Sequence, residues 1–162
     1  MRRVDALRGI FAAVVFAVAG VAVHRLCVIP FRHDLVMRDV EARMGLVENV
    51  DAFRAKSLAR RNLADLDRVA GSRRLDPAWY IFYGANCETL DRWHDAANAY
   101  TKALAIDQRP EIYFSRGMVM LHLGRIDQAA ADMITAVRFN PFFIDRIGGE
   151  LRERVATGAG LW

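Results

Sequence analysis

The chain has 162 residues, 54% of them apolar and 26% charged, with 23 Lys+Arg against 19 Asp+Glu for a formal net charge of +4. Its two cysteines exclude a disulfide framework. Residues 1–75 hold 14 Lys/Arg against 8 Asp/Glu and residues 76–162 hold 9 against 11, so the basic half is the one that begins with an apolar stretch, and anionic lipid accounts for it better than nucleic acid.

Arg2, Arg3 and Arg8 precede an uncharged apolar stretch over residues 9–23. Fifteen helical residues cover only about 22 Å, short of a ~30 Å hydrocarbon core, and carrying the helix on to Ile29 admits His24 and Arg25, the latter near enough to the end to snorkel. Pro30 then reads as a natural stop. A single transmembrane anchor over residues 1–31, basic head included, is the expectation; the alternative is a cleaved signal peptide, for which residues 17–19 supply a small-x-small site. Against cleavage, the apolar character persists through Val23 and resumes over residues 26–31. A short basic head favours the N-terminus in the cytoplasm and the rest outside, although Arg25, Arg32 and Arg38 nearly balance the count. Bacterial inner membrane, single-pass, with a periplasmic C-terminal domain, is the localisation expected.

Residues 32–76 read as a membrane-proximal helical segment. Within them, Phe53, Leu58, Leu63, Leu66, Val69 and Ala70 form one apolar stripe, and Gly71 stops it.

Two copies of one helical hairpin follow over residues 77–141. Tyr80, Tyr83, Gly84, Ala96, Tyr100, Ala103, Ile106 and Asp107 recur thirty-three residues later as Tyr113, Arg116, Gly117, Ala129, Met133, Ala136, Phe139 and Asn140. Gly84 and Ala96 suit a close crossing of two antiparallel helices. Asp76 before Pro77 is an N-cap with proline at the first helical position, and Pro110 opens the second copy in the same way. Gly124 suits a left-handed helix end. Helices are predicted at about 77–89, 92–106, 110–123 and 126–139. In the capping segment and tail, residues 142–162, the apolar Phe142, Phe143, Ile144 and Ile147 precede Gly148 and Gly149, and Leu151 and Val155 form an i, i+4 pair on a short capping helix.

This pattern resembles the tetratricopeptide repeat (TPR), with small residues at the eighth, twentieth and twenty-seventh positions: Gly84, Ala96 and Ala103, then Gly117, Ala129 and Ala136. Gln108 replaces the family's usual proline, Arg116 its usual leucine, and the first copy is one residue short. The fold class implied is all-α, a single N-terminal transmembrane helix followed by a small TPR-like domain. A narrower resemblance covers residues 51–156. LARRNLADL at 58–66, RPEIYFSRG at 109–117, VRFNPFFIDRI at 137–147 and LRERV at 151–155 look like the repeat-bearing tail of bacterial O-antigen ligase and polymerase-type membrane proteins. The many spans of those enzymes are missing from this sequence, so ligase activity does not carry over.

No HExxH, GxSxG or phosphate-cradling glycine loop is present. Cys87 and His94 are too few for a metal, and Cys87 falls at a core position. The expectation is therefore no enzyme, no cofactor and no metal. In TPR proteins the first helix of each pair lines a concave face, and the resemblance maps that face onto Ile81, Ala85, Glu88 and Thr89, then Phe114, Met118, Leu121 and His122. This groove lacks the Lys/Arg clamp for a peptide carboxylate and suits a helix or an extended apolar segment, with Phe114 and Leu121 as end anchors. The upstream helix over residues 50–70 is the competing occupant. A membrane-anchored scaffold binding membrane-associated protein partners is the function expected. An accessory or assembly subunit of a large inner-membrane complex is the alternative, and a component of polysaccharide transfer machinery the third.

Overall fold

The computed structural model describes residues 14–47, 50–70 and 76–161, and among these no strand forms. The basic head and the stop at Gly71 lie outside the described residues.

Helix α1 (Val14–Val47) is 34 residues long, about 51 Å at 1.5 Å per residue. Pro30 does not end it. The five residues His24–Val28 form a π-helical turn immediately before the proline, closed by the Ile29 N–H donating to the His24 carbonyl. A π-turn widens the helix locally, which relieves the clash of a proline ring with the preceding turn and absorbs its missing donor. The two halves of α1 have different surroundings. Val14, Phe16, Val18, Val21, Leu26, Val28 and Phe31 are 40–80% exposed, and this apolar half is long enough to cross a membrane, a test that a signal sequence also passes. Beyond it, His33, Val36, Met37, Val40 and Met44 recur every three or four residues and turn toward the rest of the chain.

Helix α2 (Ala52–Val69) is capped by Asp51, whose carboxylate accepts from the Arg54 N–H at 2.9 Å. Its buried stripe is Ala55, Ala59, Asn62, Leu63, Leu66 and Val69. Phe53, expected in that stripe, is 80% exposed, lying in the first turn of α2 ahead of its first buried residue, Ala55. The hairpin of α1 and α2 thus forms a layer of the same kind as the two repeats that follow.

Those repeats are α3 (Pro77–Thr89) with α4 (Trp93–Leu104), and α5 (Pro110–His122) with α6 (Ile126–Phe139). Asp76 caps α3 by accepting from the Trp79 N–H at 2.9 Å. The tight turns are equivalent. Gly124 (φ +70°) closes the second pair, and Asp91 (φ +59°) adopts the same left-handed conformation in the first. Small residues sit where the helices cross. A methyl group at Gly84 would lie 2.9 Å from the Tyr100 ring, and one at Gly117 would lie 3.0 Å from Met133 and 3.2 Å from the Ala129 carbonyl.

Arg116, the departure from the TPR leucine, donates twice to Asp132 at 2.7 and 2.8 Å. The first copy has Tyr83 and Ala99 at the corresponding places, so a tyrosine and an alanine are exchanged there for a paired arginine and aspartate. A second polar cluster joins the layers upstream: Arg43 donates to Asn62 (2.6 Å) and Asp65 (2.7 Å), Asn62 to Asn86 (2.9 Å), and Asn86 to the Phe82 carbonyl (2.7 Å). Asn62 and Asn86 are fully buried, which makes their mutual satisfaction obligatory.

The C-terminal segment is a shortened third repeat. A 3₁₀ helix (Pro141–Arg146), capped by Asn140, takes the place of a first helix, and α7 (Gly149–Ala159) that of a second. Arg154 pairs with Asp127 at 2.7 Å and Arg138 donates to the Gly158 carbonyl at 2.7 Å, so α7 runs in the same sense as α6. The core divides accordingly. One cluster gathers α1 to α5 around Leu66, Tyr100 and Ile112, and a second joins α5 and α6 to the C-terminal segment around Phe114, Met133, Phe143 and Val155.

Candidate partner-binding groove

Ile81, Ala85 and Glu88 on α3, and Phe114, Met118 and Leu121 on α5, repeat the spacing i, i+4, i+7 and so hold one face of each first helix. Ile81, Ala85, Thr89, Met118 and Leu121 are half-buried and His122 is exposed. Leu121 packs against both core clusters. Thr89 spends its hydroxyl on the Ala85 carbonyl at 3.0 Å.

Phe114 is different. It is only 4% exposed, stacks on Phe143 with ring centroids 4.8 Å apart, and lies under the Arg146 guanidinium at 4.7 Å. The 3₁₀ helix folds back over that end of the groove and fills it with the chain's own aromatic side chain. Phe114 is therefore a core residue in this structure rather than an open anchor, and the remaining apolar positions of the face, Ile81, Ala85, Met118 and Leu121, are half-buried.

The far end is polar and only partly readable from sequence. Glu88 accepts a hydrogen bond from the Tyr100 hydroxyl. Burial raises the Glu88 carboxyl above its ordinary value, opposed by that hydrogen bond and by His122. Tyr100 is raised in turn by burial and by the facing carboxylate. His122 stacks flat on Trp93, with centroids 3.9 Å apart and planes 3° from parallel. Trp93 opens α4 and carries no repeat signature, since Ile126 holds its place in the second copy, so nothing in the spacing marks it as the wall beside His122. Cys87 is fully buried, and desolvation pushes its thiol up to about 11; His94 is exposed on the next helix.

Another cleft, of about 260 Å³, lies among α2, α3 and α4. Trp79 stacks on Tyr83 (4.9 Å) and meets Tyr80 edge-on (5.2 Å), and the Lys102 ammonium sits 5.8 Å from the Tyr80 ring. Lys102 thus occupies the aromatic wall itself, and the Trp79 indole N–H is spent on the Leu66 carbonyl at 3.1 Å.

No protein-family model and no curated protein matches the sequence. Solved structures do. A thermophilic TPR protein of Thermus thermophilus, TTC0263, aligns at a TM-score of 0.59 and 25% identity over 76% of this chain, which spans 61% of that protein's length. MamA aligns at a TM-score of 0.56 and 18% identity over 82% of both chains. The fold is a TPR-like helical repeat, as the two small-residue triads implied.

Proposed function

We propose that the chain is a membrane-mounted repeat scaffold that holds a protein partner against the open face of α3 and α5, on the periplasmic side of a bacterial inner membrane. The observation that carries this reading is the division of α1: one uninterrupted helix is apolar and exposed in its first half and packed into the repeat stack in its second. The TPR-like fold supports a binding role, because a stack of helix pairs presents an extended concave surface. The open groove residues Ile81, Ala85, Met118 and Leu121 suit an apolar helix or strand, and Glu88 with His122 adds polar discrimination at one end. The reading assigns the chain no catalytic step. The resemblance of residues 51–156 to O-antigen ligase tails makes polysaccharide-transfer proteins the first partner class to test.

A second reading has its own support. The exposed apolar face of α1, with Phe16 at 80%, would serve an accessory subunit whose span makes the main contact. Photo-crosslinking in native membranes separates the two. A benzophenone side chain at Ala85 or Met118 is expected to give a discrete protein adduct, and one at the exposed Ala131 none. Adducts from Phe16 alone would favour the accessory-subunit reading and remove the groove.

A further inference from the structure

A notch of about 190 Å³ lies between α1 and α2, lined by Ile29, Arg32, Val36, Asp65, Arg68 and Val69. The two helices are antiparallel, with Arg43 of α1 bonded to Asn62 and Asp65 of α2, so the notch lies between the start of the inward half of α1 and the end of α2. Resting on the reading of α1 as a membrane span, the notch stands where the exposed run of Val28 and Phe31 leaves the bilayer, with both guanidiniums at headgroup level.

The charge at the notch is positive. Asp65 is already satisfied on both oxygens, by Arg43 at 2.7 Å and Arg68 at 3.0 Å. The Arg68 side chain remains 74% exposed, and Arg32 is exposed with no ion-pair partner among the described residues. The lining therefore holds two guanidiniums against one carboxylate, and that carboxylate is also paired with Arg43. From this geometry we infer that the notch holds an anionic phospholipid: its phosphate lies between Arg32 and Arg68, and its acyl chain runs back past Ile29 and Val69 along the exposed face of α1. Arginine suits the role because its planar fork matches phosphate oxygens bidentately. The bound lipid fills the seam at which the span enters the repeat stack.

The test uses the full chain, purified in mild detergent from vesicles of mixed phosphatidylglycerol and phosphatidylcholine, with retained lipid read by native mass spectrometry. Wild type is expected to retain phosphatidylglycerol selectively. Arg32→Gln with Arg68→Gln should cut that retention roughly thirtyfold, in line with the usual contribution of two basic side chains at an anionic surface. Arg54→Gln with Arg125→Gln, the same charge change at the opposite end of the stack, should leave it unchanged. Should the notch double variant misfold, Arg32→Gln alone carries the test, since that side chain has no ion-pair partner to lose among the described residues. Equal retention by the notch variants and wild type would overturn the site, as would displacement of the lipid by excess inorganic phosphate. Release of wild type from vesicles by alkaline carbonate would instead overturn the anchor on which the inference rests.

Discussion

Glu88 sits where the groove, the first repeat and the His122–Trp93 stack meet. Its carboxyl is raised chiefly by burial, so the folded chain holds this proton more tightly than the unfolded chain does. The stability it contributes is complete below the unfolded carboxyl range and is lost as pH rises through the folded value. Glu88→Gln keeps an acceptor for the Tyr100 hydroxyl and removes the titration. In denaturant melts of the full chain, the variant should gain stability over wild type at pH 7 and show no gain below about pH 4, the ordinary carboxyl range. A gain that persists at acid pH would mean that the carboxylate costs stability for another reason. At this scale helical spacing places Ile81, Ala85 and Glu88 on one face of α3 and Phe114, Met118 and Leu121 on one face of α5, while the choice of that face as the partner groove comes from the repeat resemblance. The closure of Phe114 was not, since it depends on a 3₁₀ turn bringing Phe143 back across the groove, and no local pattern encodes that return.

Among the elements, the two repeats were the most readable. Proline at the first position of α3 and α5, the crossing glycines Gly84 and Gly117, and the αL turn at Gly124 each follow from local chemistry. Arg116 reads from sequence as a flaw in the repeat, and the structure supplies its reason: Asp132, on the facing helix, is its partner. Restoring the family's leucine should therefore harm this chain. Arg116→Leu leaves a 10%-exposed Asp132 without its counter-charge. The cost should be about 2–3 kcal/mol, below the ~3–5 of a fully buried pair because the Arg116 side chain keeps 21% exposure. Adding Asp132→Ala, which recreates the alanine of the first copy, should recover most of that loss in the same urea titration. If the double variant were no more stable than Arg116→Leu, the arginine would be holding the helices by packing rather than by charge.

For the whole molecule, the least legible feature is the one that determines its architecture. Pro30 reads as a helix stop, and the inward positions of α1 beyond it alternate with Arg32, Asp34, Arg38 and Asp39, which blurs the apolar stripe. Only the π-turn at His24–Val28 and the Asn62–Asn86 cluster beneath Arg43 and Met44 show that the helix continues and becomes a layer of the stack. No break separates the two halves of α1, so on the proposed reading of its apolar half as a membrane span the mounting is rigid, and the notch would stand at a fixed height from the bilayer. Amide hydrogen exchange of the full chain in lipid nanodiscs tests this claim most directly. Slow exchange should run unbroken from the apolar half of α1 through Pro30 to Met44, with the peptide at residues 29–36 as protected as its neighbours. Rapid exchange at residues 24–36 between two protected halves would show a hinged tether and contradict the account.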